Sequence, residues 1–154
     1  MTGKYLLDTC FIIGLQQHNR AALEMIQSRQ ILLNQCAYSV ITRLELLSFP
    51  SLSATDEHTL QLMLNSMACL NLTDAVQAKT ISIRKARKVK LPDAMILATA
   101  QSYGLELLTL DQKLHGLSQE GALCVPANST SGRAVALIAI YSKKEVWMKF
   151  QPLQ

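Results

Sequence analysis

The stretch Leu91–Ala100, LPDAMILATA, constrains this chain more than any other. Pro92 fits the first turn of a helix, where its fixed φ is already helical and its missing N–H would have had no partner. Asp93 follows it, facing free backbone N–H groups at the positive end of the helix dipole. Steps of three, four and seven residues from Asp93 reach Ile96, Leu97 and Ala100, so the acid opens the stripe the helix is expected to bury. A surface carboxylate belongs on the opposite face. An acid at the edge of a core needs a partner, and nothing basic lies within the stripe.

Around this helix the chain alternates short apolar runs with helical patterns. Lys4–Leu7 reads as a buried strand closed by Asp8, Phe11–Leu15 and Arg20–Ser28 as helical, and Ile31–Asn34 as a second strand. Ser39 can cap a helix over Val40–Leu47 that stops near Pro50, and Thr55–Met67 is amphipathic. Ala68–Leu72 gives a third strand, after which Thr73 caps a long helix running toward Val89. Gly104 punctuates the Leu91 helix, Leu105–Leu110 is a fourth strand ending in Asp111, and Ala122–Val125 is a candidate fifth. Strands alternating with helices predict an α/β fold: a parallel sheet, right-handed crossovers and helices on both faces.

At 154 residues the chain is expected to form one domain with a sizeable core. That domain spans residues 1–127; a polar NSTSGR stretch then opens an extension, 128–154, containing AVALIAIY. The extension reads equally as an added strand, a docking arm or a dimer contact. Its apolar run, Ala134–Tyr141, is too short to cross a bilayer, and MTGKYLLD is no signal peptide, so no membrane role and a cytoplasmic location are expected. Cys10, Cys36, Cys69 and Cys124 show neither CxxC nor zinc spacing and read as thiols in a reducing compartment. With 5% aromatic residues, base-stacking platforms cannot dominate, while a net charge of +4 mildly favours a polyanionic partner.

Eleven Asp and Glu are present, and four fall in apolar surroundings at element ends or faces: Asp8, Glu45, Asp93 and Asp111. Singly, Asp8 and Asp111 also read as turn acids, Asp93 as a dipole acid and Glu45 as a solvated helix residue. Together they belong to one edge, because open parallel sheets bind ligands beyond the carboxyl ends of their strands, where the following helices start. Clustered carboxylates raise one another's pKa unless a cation intervenes. With no His or Cys in the set, oxygen-only ligation favours Mg²⁺ or Mn²⁺, ions suited to phosphodiester hydrolysis. Between Ala75 and Pro92 there is no acid, while Lys79, Arg84, Lys85, Arg87, Lys88 and Lys90 all occur there. That run reads either as a solvated helix face or as an edge that tracks phosphates, with Arg84, Arg87, Lys88 and Lys90 as the RNA-binding candidates. Phosphate cradles of the GxGxxG or GxxxxGK[ST] type and a GxSxG elbow are absent from the sequence. His18, His58 and His115 stand isolated.

The ordered set LLDT (Asp8), ITRLELL (Glu45), LPDAMILATA (Asp93) and LLTLD (Asp111) resembles the PIN-domain ribonucleases, and more narrowly the VapC-type toxins of bacterial toxin–antitoxin pairs. The resemblance covers Lys4 to about Ala127. It implies a three-layer α/β/α sandwich and a Mg²⁺- or Mn²⁺-dependent endoribonuclease that hydrolyses RNA phosphodiester bonds. It also implies a homodimer and an antitoxin whose tail occludes the acidic groove. By the same resemblance Asp8, Glu45, Asp93 and Asp111 are the metal-binding catalytic acids, and Thr109 supplies a supporting hydroxyl. The chain departs from the family pattern at Cys10, where a small polar residue is common, at Leu114, where an aromatic is frequent, and after Ala127. The alternatives are a PIN-like module that binds RNA or protein without cutting, and a phosphatase. The phosphatase is disfavoured because Asp8-Thr9-Cys10 lacks a second acid two residues on.

Overall fold

A computed structural model describes residues 3–120 of the chain. Its four strands are β1 (Tyr5–Leu7), β2 (Cys36–Ser39), β3 (Ala68–Leu70) and β4 (Glu106–Leu108). Helices α1 (Thr9–Gln16) and α2 (Arg20–Ser28) join β1 to β2, and α3 (Val40–Leu47) and α4 (Ala54–Asn65) join β2 to β3. Helices α5 (Asp74–Ala86) and α6 (Leu91–Tyr103) join β3 to β4, and α7 (Gln112–Glu120) follows. The strands are all parallel, in the order β3-β2-β1-β4.

Successive strand residues point to opposite faces, and here both faces are apolar. Leu7, Cys36, Tyr38 and Leu108 enter one core with Phe11, Ile12 and Leu15 of α1, Leu46 of α3 and Leu60 and Leu64 of α4. Leu6, Ala37 and Leu107 enter a second core with Val76 and Ile83 of α5, Ile96 and Leu97 of α6 and Leu114 of α7. The sheet is therefore the middle layer of an α/β/α sandwich. Each fully buried Leu contributes roughly 1.5–3 kcal/mol of transfer free energy. Helix α3 serves both cores, Ile41 packing on the second and Leu46 on the first. It thereby lies across the end of the sheet and not along one face.

The α6 helix behaves as its sequence predicts and then exceeds it. Pro92 occupies the first turn, Asp93 is its first-turn acid, and Gly104 closes it in the left-handed conformation at φ 63°. That backbone geometry favours glycine, which has no Cβ to clash. Ile96, Leu97 and Ala100 are buried, but so are Ala94, Ala98 and Thr99, so the stripe widens around the middle of the helix. Small Ala residues permit that close approach.

One expectation needs correction. Ile31–Asn34 is no strand: the chain turns there as a 3₁₀ segment, Leu33–Gln35, and the strand begins at Cys36. Parallel pairing of Tyr5 with Cys36 and Leu6 with Ala37 fixes that register. The α7 helix was not legible as one, and the candidate strand at Ala122–Val125, like the extension 128–154, lies outside the described residues. Among the described residues no helix is long and apolar enough to cross a membrane.

Candidate active site

The strand order reverses between β1 and β4, because β1 leads to β2 on one side while β4 lies on the other. Ligands of open α/β sheets bind beyond the carboxyl ends of the strands at such a switch point. Asp8 directly follows β1, and its N–H donates to Leu108 O at 3.0 Å, extending the β1–β4 pairing by one residue. That step sets Asp8 beside Thr109, whose Oγ1 donates to Asp8 Oδ2 at 2.7 Å. The Cys10 thiol donates to the same oxygen at 3.0 Å, and the Thr9 N–H donates to Asp8 Oδ1 at 2.6 Å. Only 5% of Asp8 is exposed, so these three donors replace the water that a buried carboxylate has lost. Burial and the Asp8 carboxylate both push the Cys10 thiol up, which keeps it a donor.

Ser39, fully buried at the end of β2, caps α3 through a bond from the Ile41 N–H. The helix therefore springs from the carboxyl edge of the sheet and carries Glu45 over it. Thr9 Oγ1 donates to Glu45 Oε2 at 2.5 Å and lies 3.1 Å from the buried Thr42 Oγ1, one turn before Glu45. Asp111, after β4, caps α7: its Oδ1 accepts from the N–H groups of Lys113 and Leu114 at 2.9 and 3.2 Å. Its own N–H donates to Thr109 Oγ1 at 3.1 Å, so one hydroxyl links Asp8 to Asp111. Gly14 lets α1 pack closely against this turn, since a Cβ there would come within 2.6 Å of Leu110 Cδ1 and push that side chain aside.

Asp93 enters from the opposite layer at the start of α6. Its carboxyl is held above the ordinary value, first by burial and then by the negative charges of Asp8, Asp111 and Glu45, with Lys90 offsetting part. All four sequence-predicted acids therefore lie close enough to act on one another electrostatically. Among the described residues no three Asp, Glu, His or Cys side chains already meet closely enough to grip an ion unaided. The four acids make a convergence of negative charge and not a closed cage. Its donors are carboxylate oxygens, the set that a hard divalent cation takes; both oxygens of Asp8 accept protein donors, while Glu45 and Asp111 are each tied through one oxygen.

The basic run is divided in its roles. Arg87 pairs with Glu120 of α7 at 2.5 Å, and Arg84 donates to Val89 O at 2.8 Å, so both brace the end of α5. Lys90 acts on the Asp93 carboxyl, and Lys113 Nζ donates to the backbone O of Lys88 at 3.4 Å. Sequence reasoning missed Thr9, Thr42 and Lys113. The signal for Thr9 was its position directly after Asp8, and for Thr42 its place three residues before Glu45. Lys113 had none, since α7 went unrecognised.

Residues 5–119 match the family description of the PIN domain. No curated protein sequence matches the chain significantly. A chain from a toxin–antitoxin complex of Klebsiella pneumoniae is 31% identical, with a TM-score of 0.62, over 71% of this chain and 88% of its own. FitAcB from Neisseria gonorrhoeae, 23% identical with a TM-score of 0.62, shares the fold over 75% of this chain and 93% of its own. VapBC2 from Rickettsia felis, described bound to a DNA fragment from its promoter, shares it at 19% identity and a TM-score of 0.54 over 71% and 89%. With three-quarters of its length matched and four acids gathered at the switch point, the chain belongs to the PIN domain family.

Proposed function

We propose that this protein is a metal-dependent endoribonuclease that hydrolyses RNA phosphodiester bonds, the toxin of a toxin–antitoxin pair. The observation that carries the reading is the convergence of four acids at the carboxyl edge of the sheet, where the Asp93 carboxyl is raised first by burial and then by the charges of Asp8, Asp111 and Glu45. Such a concentration of like charge destabilises the fold unless a cation balances it, and perturbed carboxyls in a cleft mark functional sites. Asp8, Glu45, Asp93 and Asp111 would hold Mg²⁺ or Mn²⁺. When bound, such an ion acidifies water and neutralises charge growing on the phosphate.

The rest of the chemistry falls to the chain's own residues. Thr109 and Cys10 fix the Asp8 carboxylate, and Thr9 fixes Glu45, so the acids keep their places as charge shifts. Lys88, Lys90 and Lys113 would meet the RNA backbone; Arg84 and Arg87, already engaged, would contribute chiefly through field. A protein antitoxin as partner is supported by the 31%-identical chain, which comes from a toxin–antitoxin complex. A homodimer, a cytoplasmic location and a separate role for residues 128–154 complete the reading.

The test is cleavage of single-stranded RNA by the purified full chain with Mn²⁺. Cleavage abolished by EDTA and restored by added Mn²⁺ is expected. Equal cutting with and without EDTA overturns the metal mechanism. RNA binding without any cleavage favours the non-catalytic module.

A further inference from the structure

A groove of about 200 Å³ runs between α5, α6 and α7. The buried Ile83 and Leu97 line it with Ala86 and the half-buried Leu117, so it is apolar where the three helices meet. Lys79, Ser82, Arg87 and Gln101 bring polar groups to the same groove. A dry cavity of roughly 150 Å³ takes a benzene ring, so this one has room for an aromatic side chain. An apolar lining with a few polar groups is also the usual make-up of a site that takes such a group.

Glu120, the last residue of α7, lines the groove too and pairs with Arg87. Residues 121–154 therefore set out from the groove itself, and they carry Trp147, the only tryptophan of the chain. At roughly 3.3–3.6 Å per extended residue, the chain between Glu120 and Trp147 is long enough to bring that ring back. Trp suits these walls better than Tyr141 or Phe150, the other aromatics of the segment. It covers the larger apolar area, its N–H needs an acceptor such as Ser82 Oγ or Gln101 Oε1, and its face attracts cations such as Lys79 and Arg87. Glu145, the only acid in 121–154, stands two residues before it, and residues two apart share a face of an extended segment. An acid beside the ring complements the Lys79 ammonium. We propose that the groove seats Trp147 of the same chain, which makes residues 128–154 a docking arm held against α5, α6 and α7. The arm sets Lys143, Lys144 and Lys149 beside the basic run of α5 and enlarges the positive face offered to a polyanion.

Because Trp147 is the only indole, tryptophan fluorescence of the full chain reports on the arm alone. Emission blue-shifted from that of the urea-unfolded chain is expected, with acrylamide quenching several-fold weaker. Ala86→Glu places a carboxylate at an exposed position of the apolar wall. It is expected to return emission and quenching to the unfolded values while the circular dichroism spectrum stays unchanged. Lys79→Glu, which opposes Glu145, moves both the same way by less, and it decides the matter should Ala86→Glu fail to fold. Leu62→Glu, at an exposed leucine of α4, leaves both unchanged. A wild-type Trp147 quenched as fully as in urea overturns the proposal. So does a protected Trp147 that ignores a folded Ala86→Glu, or that responds equally to Leu62→Glu. Protection that disappears on dilution assigns the ring to a second copy and overturns docking within one chain.

Discussion

Where β1 and β4 begin, Arg29 donates to both carboxylate oxygens of Glu106 at 2.8 and 2.6 Å and lies 5.2 Å over the Tyr5 ring. Where the same strands end, the carboxyls of Asp8, Asp111, Glu45 and Asp93 act on one another, and Lys90 offsets only part of that charge. One end of the sheet is balanced pair by pair, and the other is left in deficit. The balanced end can be explained by stability alone. The deficit cannot, since replacing Asp93 by its neutral isostere would relieve repulsion at no loss to packing. A fold that retains such a deficit is organised around something that neutralises it.

Breaking the deficit should produce the largest effect. Asp93→Asn keeps the size of the side chain and removes its charge. An ion worth several kcal/mol to a phosphoryl transition state corresponds to about 10²–10³-fold in rate at 1.36 kcal/mol per decade. RNA cleavage by Asp93→Asn is expected to fall by that much, with the circular dichroism spectrum unchanged. Activity within about threefold of wild type would remove Asp93 from the site.

The acids at the two strand ends should separate by stability. Asp8 is buried and satisfies three donors, so Asp8→Ala strands a hydroxyl, a thiol and a backbone N–H and is expected to cost about 2–3 kcal/mol. Asp111 is exposed and loses only a helix cap on mutation, about 1 kcal/mol. In a chain of this size these translate to roughly 2–4 °C of Tm per kcal/mol. Thermal melts in EDTA should therefore order the variants wild type, Asp111→Ala, Asp8→Ala. The reverse order would mean that Asp8 is not held as described.

The pH dependence sharpens the same contrast. The Asp93 carboxyl is raised above 3.8 in the folded chain, chiefly by burial and then by its acidic neighbours. Its contribution to stability is thus fully present below 3.8 and is lost as pH rises through the higher folded value. In EDTA, wild type and Asp93→Asn should melt together in acid, and the wild type should fall behind as pH approaches neutrality. Saturating Mn²⁺ should reverse the order, because the ion binds the wild-type fold. A difference between the two proteins that does not change with pH would refute the shift.

Much of this was legible in the sequence because its signals are local. Pro92, Asp93 and Gly104 bound α6 by cap chemistry, Ser39 and Thr73 mark the starts of α3 and α5, and apolar runs mark β1, β3 and β4. The second strand was misplaced because ILLN is more apolar than the true strand, CAYS, whose position is fixed only by pairing with β1. The α7 helix escaped because QKLHGLSQE is mostly polar and contains Gly116, and because Asp111 was read as an acid closing a strand and not also as a cap. Missing α7 hid the Arg87–Glu120 pair, so Arg87 read as a free cation. Periodicity could suggest that four acids share an edge; that Thr9 reaches across to Glu45 follows only from the placement of α1 against α3.

The smallest effect belongs to the balanced end. Glu106→Gln removes the charge from a bidentate pair whose side chains are 37% and 43% exposed. Exposed pairs are screened by water and salt, and even a well-aligned one seldom contributes more than about 1 kcal/mol. The Arg29 guanidinium keeps Tyr5 beneath it and gains water where the carboxylate stood. A Tm loss of no more than about 4 °C, shrinking further in high salt, is therefore expected. Mn²⁺ affinity should not change, because the pair sits at the opposite ends of β1 and β4 from Asp8 and Asp111. A marked fall in Mn²⁺ affinity in Glu106→Gln would show that the two ends of the sheet are coupled. The charge deficit at the carboxyl edge would then belong to the electrostatics of the whole sheet and not to a local site.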